Sequence, residues 1–110
     1  MKKFLVAFNG LKIALTHRAV KIQLVLALFA IIGGIIIKLD YYEWIAFILC
    51  IFFVLFAEVF NTSIEQIGNY LTTENDERIR TIKDLSSGAV LISCICAFIV
   101  CLMCVIRRII

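Results

Sequence analysis

The sequence predicts an all-α membrane protein, with three transmembrane helices and an amphipathic N-terminal helix lying on the membrane surface. Three observations predict it. The 110 residues are 64% hydrophobic, with mean hydropathy +1.08 and no proline; a soluble domain of this size needs far more polar surface. Apolar residues gather in three stretches, roughly 22–39, 41–57 and 88–106. Ahead of them, Phe4, Phe8, Leu11 and Leu15 recur at helical spacing, with Lys2, Lys3 and Lys12 elsewhere. That pattern suits a helix in the plane of the interface.

Residues 1–20 are assigned to this surface helix. Lys2-Lys3 begins like a signal peptide, but Asn9, Gly10 and Lys12 break the apolar region and no small-residue cleavage site follows. The first span is placed at 22–39 and the second at 41–65. Their uninterrupted apolar cores, Leu24–Ile37 and Trp44–Ala57, are 14 residues each, short for a hydrocarbon layer of ~30 Å. Flanking Lys21, Gln23 and Lys38 can snorkel. No Gly or Pro lies between Trp44 and Ile67, so the second helix continues through Glu65. The third span, 86–106, gives the clearest signal: 19 residues from Gly88 to Ile106 without a charge.

Three helices enclose no large cavity alone, so an oligomer with sites between chains is expected. Gly33-Gly34 and Ser86-Ser87-Gly88-Ala89 suit close helix packing. Basic residues set the orientation. An inward N-terminus and second loop put eight of them inside (Lys2, Lys3, Lys12, Arg18, Lys21, Arg78, Arg80, Lys83) against three outside. Arg107 and Arg108 argue mildly the other way. Cys50, Cys94, Cys96, Cys101 and Cys104 all fall inside spans. Cys101-x-x-Cys104 lacks a second ligand pair, so the cysteines are read as small apolar helix residues.

The second helix carries polar groups in one stripe. Glu58, Asn61, Thr62 and Glu65 stand at i, i+3, i+4 and i+7. Glu58 and Glu65 are thereby about 20° apart around the axis and roughly 10 Å apart along it. A charge at the centre of a membrane helix costs roughly 2.5–3.5 kcal/mol, which makes a functional site the default explanation. After Tyr70 the chain turns polar (LTTENDERIRTIKD), as in a solvated loop or short helix, before Lys83-Asp84 opens the third span. Antiparallel neighbours would bring Glu65 and Asn69 near Lys83 and Asp84.

These groups form a set suited to phosphoryl transfer, which needs carboxylates for a divalent cation, a cation for phosphate oxygens and a base for the attacking hydroxyl. Glu65 and Asp84 would supply oxygen ligands, Lys83 the phosphate contact and Glu58, deeper in the membrane, the base. Neither GxxxxGK[ST] nor a kinase catalytic loop is present. The alternative is a small transporter or channel subunit with Glu58 as an intramembrane proton or cation site, which leaves Lys83-Asp84 unexplained. A non-catalytic membrane partner leaves Glu58 unexplained.

Two segments resemble the prokaryotic diacylglycerol kinase / undecaprenol kinase family of small membrane kinases. Glu58-Val-Phe-Asn61-Thr-Ser-Ile-Glu65 is similar to E-x-x-N-[ST]-x-I-E, and Lys83-Asp84-Leu-Ser-Ser-Gly88-Ala-Val-Leu91 to K-D-x-x-x-[GA]-A-V-L. The resemblance covers nearly the whole chain. It implies a homotrimer with sites between subunits in the bacterial cytoplasmic membrane, where the count of basic residues places the N-terminus inside and the C-terminus outside. It further implies MgATP as phosphoryl donor and a lipid hydroxyl as acceptor, with no nucleic acid partner. By position, Glu58 would be the catalytic base and contact the lipid, Glu65 a magnesium and ATP ligand, and Asn61 a positioning group at the nucleotide. Lys83 and Asp84 would contact the nucleotide, Glu74, Asn75 and Asp76 would lie beside its adenosine, and Ser87 near the lipid. The Asn61-Thr62 pair and the Gly88-Ala-Val-Leu run favour undecaprenol over diacylglycerol. The chain departs from the pattern at His17, where a carboxylate magnesium ligand is usual, and at Asn69, where aspartate is frequent. The stretch from Gly10 to Lys21 is also one residue shorter. His17 is read as an interfacial residue, since histidine prefers softer metals than magnesium.

Overall fold

The computed structural model describes residues 2–71 and 76–110. Four helices follow in order: α1 (Lys2–Ala14), α2 (Arg18–Ile37), α3 (Tyr41–Leu71) and α4 (Glu77–Ile109). The last three are each long and apolar enough to cross a membrane. Helix α1 stops sooner than its apolar spacing suggests. The Thr16 hydroxyl donates to the Ile13 carbonyl at 2.6 Å, His17 is extended, and residues 18–20 already belong to α2.

Burial runs opposite to that of a soluble protein. Phe52, Phe56, Leu91 and Phe98 are each at least 60% exposed, whereas Glu43, Glu58, Asn61, Ser86 and Ser93 are buried. That distribution fits a lipid surround, where polar groups must be satisfied inside the bundle. No buried side-chain nitrogen or oxygen among the described residues lacks a hydrogen-bond partner.

Helices α3 and α4 form the principal packed pair, and α2 lies against α3. Both long helices extend beyond the expected spans, α3 to Leu71 and α4 back to Glu77. The mixed charges that suggested a loop ride on continuous helix because no proline interrupts it and Asp76 caps the restart. The Asp76 carboxylate accepts from the Arg78 backbone N–H at 2.8 Å. The Arg78 guanidinium and then that N–H hold the Asp76 carboxyl below the usual carboxylate range. The cap therefore supports α4 at neutral pH and is lost in acid. At 1.5 Å per residue, the 31 residues of α3 and 33 of α4 run about 46 and 50 Å. Each outruns the ~30 Å hydrocarbon layer by several turns.

The end of the bundle away from Glu65 is tightly locked. Helix α2 closes in a Schellman turn: Leu39 N–H donates to Gly34 O and Lys38 N–H to Ile35 O, with Lys38 left-handed at φ 59°. A Cβ on Gly34 would lie 2.8 Å from Leu39 Cδ1 and 2.9 Å from Trp44 Cη2, so glycine is what lets the turn fold onto α3. Asp40 and Glu43 make a reciprocal capping box, each carboxylate accepting the other's backbone N–H at 2.9 and 3.0 Å. Arg108 then grips Glu43 with two 2.6 Å bonds and spends its other donors on the carbonyls of Ile37, Lys38 and Cys104. Arg107 pairs with Asp40 at 2.8 Å. Each terminal arginine is thus paired with a carboxylate at the start of α3 or just before it. Leu39, Phe47 and Cys104 pack as a core beneath this lock.

Two consequences are measurable by detergent-induced unfolding. Arg108→Ala takes the two 2.6 Å bonds from the Glu43 carboxylate, leaves it only the looser 3.9 Å contact with Arg107, and should lower the unfolding midpoint. Lys38→Gly relieves the left-handed residue and should add about 1 kcal/mol.

Candidate active site

Helical spacing delivers the stripe as expected, and the contact with α4 turns it into a connected cluster. Asn61 is its centre. Its Nδ2 donates to Glu65 Oε1 at 3.0 Å, and its Oδ1 accepts from the Ser86 hydroxyl of α4 at 2.8 Å. Asn61 and Ser86 are both 8% exposed. The Thr62 hydroxyl donates back to the Glu58 carbonyl at 2.9 Å, leaving Thr62 a helix-internal role. Glu58, 6% exposed, sits two turns deeper than Glu65, with the Gln23 amide of α2 beside it.

One turn of α4 before Ser86, Lys83 crosses to α3. Its Nζ donates to Asn69 Oδ1 at 2.5 Å. Gly68 makes the crossing possible: a Cβ there would lie 2.7 Å from Lys83 Cε and 3.1 Å from Ile79 Cγ2. The lysine stem lies in the slot that glycine leaves. His17, at the α1–α2 junction, places Nε2 3.1 Å from Gln66 Nε2, so the residue standing where a carboxylate is usual borders the Glu65 end of α3.

One chain brings together Glu58, Asn61 and Glu65 of α3 with Ser86 of α4, and Lys83 meets the next turn of α3 at Asn69. It does not bring in Asp84 or Ser87, which are exposed; Asp84 lines a separate shallow groove with Thr81, Leu85 and Gly88. Asp76 is engaged in capping α4. Glu74 and Asn75 lie outside the described residues. Sequence reasoning missed Ser86, Gly68, Gln66 and Gln23 as members of the site. Ser86 had been read only as a small packing residue, and Gly68 carried no motif.

For a hard divalent cation, Glu65 is the fitting ligand: one oxygen holds the Asn61 amide and the other accepts no hydrogen bond among the described residues. Among those residues no three His, Cys, Asp or Glu side chains converge. A magnesium ion needs no such cage, since it keeps waters and takes one or two carboxylates with substrate phosphates. On the side of Glu58 away from Glu65, a cavity of about 180 Å³ lies between the three spans, lined by Gln23, Ala27, Phe47, Val54, Ala97 and Cys101 among others. Its walls are apolar, and the five cysteines are free.

The Lys83 slot can be tested directly. Gly68→Ala and Asn69→Ala should each release the ammonium toward water and speed its acylation by a water-soluble amine reagent, with helical content unchanged. Equal labelling rates would contradict the cradle.

No curated protein matches the chain. The family model described as "Prokaryotic diacylglycerol kinase" matches it over residues 5–105, which takes in α2, α3, nearly all of α4 and every residue of the cluster. The chain belongs to the prokaryotic diacylglycerol kinase family of membrane lipid kinases.

Proposed function

We propose that the protein transfers the γ-phosphoryl group of ATP to a membrane lipid hydroxyl, with undecaprenol favoured over diacylglycerol. The single observation that carries this reading is the division of one helix face by depth. Glu58 is buried, where a lipid hydroxyl would arrive, Glu65 lies about 10 Å farther along the helix, and Lys83 meets the turn after it at Asn69, toward water. The undecaprenol preference rests on Asn61-Thr62 and the Gly88-Ala-Val-Leu run.

In this mechanism the acceptor hydroxyl gives its proton to the Glu58 carboxylate as its oxygen attacks the γ-phosphorus. The new P–O bond forms as the bond to the β-phosphate bridging oxygen breaks, and ADP leaves. Lys83 swings from Asn69 onto the phosphate oxygens as their charge shifts. Glu65 would hold Mg²⁺, which when bound neutralises the polyphosphate charge. Asn61 fixes the Glu65 carboxylate through its amide. Burial of Glu58 keeps water from competing with the lipid as acceptor.

Asp84 and Ser87 are exposed, and among the described residues neither bonds to Glu58, Asn61 or Glu65 of its own chain. A site that uses all of these groups needs a second copy, which supports the homotrimer. The reading also takes the Glu65 end as cytoplasmic, where ATP is, and the Arg108 end as external, in a bacterial cytoplasmic membrane.

The test is ATP-dependent phosphate incorporation into undecaprenol and diacylglycerol in mixed micelles with Mg²⁺. Labelling of undecaprenol above diacylglycerol is expected, and labelling of neither lipid overturns the reading. Glu58→Gln should lower turnover by about 10²–10⁴-fold without loss of helix; full turnover in that variant would remove Glu58 as the base.

A further inference from the structure

Serine and threonine hydroxyls inside a helix ordinarily bond back to a carbonyl three or four residues earlier. Among the described residues three do so: Thr62 to Glu58, Thr81 to Glu77 and Ser93 to Val90. Ser86 does not. Its hydroxyl crosses from α4 to α3 and donates to Asn61 Oδ1 at 2.8 Å, with both side chains buried.

That bond decides how the Asn61 amide faces. An amide offers an acceptor at one end and donors at the other. Glu65, as a carboxylate, only accepts, so the amide has to turn its NH₂ toward Glu65 and its oxygen toward α4. At that second position the oxygen needs a donor, and Ser86 is the donor the structure provides. Without the hydroxyl, a buried carbonyl oxygen is left unpaired, and the amide loses the anchor that holds its NH₂ on Glu65 Oε1. The neighbouring α4 residue on this seam, Lys83, is committed to Asn69 and does not replace it.

We infer that Ser86 is a positioning residue that, through Asn61, orients the Glu65 carboxylate for the divalent cation of a metal–nucleoside triphosphate. The inference rests on the reading of Glu65 as the cation ligand. Its effect belongs to the cation: partners behind a ligand commonly change metal affinity by roughly 10–100-fold when removed. The acceptor lipid, meeting Glu58 two turns away, is bound independently of Ser86.

The experiment titrates the purified full-length protein in micelles with Mn²⁺ in the presence of a non-hydrolysable ATP analogue, reading free Mn²⁺ by electron paramagnetic resonance. Ser86→Ala should weaken Mn²⁺ binding roughly tenfold, and Ser86→Thr, which keeps the hydroxyl, should restore it. The KM for the lipid acceptor should stay at the wild-type value in both. A helix-packing role alone predicts the opposite order, since alanine fits the seam more easily than threonine. Wild-type Mn²⁺ affinity in Ser86→Ala overturns the inference, as does a wild type that binds no Mn²⁺. The two failures separate: if the wild type phosphorylates lipid while Ser86→Ala binds Mn²⁺ normally, only the inference falls. If the wild type phosphorylates neither lipid, the kinase reading falls.

Discussion

A polar group between lipid-facing helices has to find its partners inside the protein, and Asn61 finds two. Its oxygen takes the Ser86 hydroxyl and its nitrogen the Glu65 carboxylate. One amide thus sets the register of α4 on α3 and the direction of the carboxylate at the water-facing end of the site. In an aqueous protein such a bond would be worth about 1 kcal/mol. Here the alternative for each buried group is an unsatisfied polar atom in hydrocarbon, so the seam has few other arrangements available.

The two ends of the bundle are built differently, and the difference follows from what each has left to bind. At the far end every donor of Arg108 is committed, Glu43 serves both the capping box and the arginine fork, and Gly34 brings the turn onto Trp44. At the site end Glu65 keeps one oxygen that accepts no hydrogen bond among the described residues, and Lys83 rests on an exposed asparagine. The locked end holds α2, α3 and α4 in place, and the open end retains the capacity that phosphoryl transfer requires.

Local sequence carried most of the fold and part of the site. Hydropathy alone places the three spans, because lipid allows little besides continuous apolar helix. The stripe from Glu58 to Glu65 follows from 3.6-residue periodicity and the lack of a breaker. The extension through 66–71 was hidden by its polar residues and Gly68, and that through 77–85 by mixed charges that read equally well as a solvated loop. The grip of Arg108 on Glu43 joins residues far apart in sequence, so no local pattern announces it. Ser86 was hidden in a different way. A serine in a run of small residues suggests packing, and its reach across to Asn61, 25 residues away in sequence, leaves no local pattern.

The central claim is that α3 passes from lipid to water between Glu58 and Lys83's partner Asn69. Nitroxide labels at exposed positions on the same turns, Phe56, Phe60, Ile67 and Tyr70, test it without entering the seam. Their relaxation by oxygen, which concentrates in lipid, and by a water-soluble nickel complex reports depth in liposomes. Oxygen should dominate at Phe56 and Phe60, the two should approach balance at Ile67, and nickel should dominate at Tyr70. Nickel access at Phe60 equal to that at Tyr70 would place Glu58 in water and contradict the account.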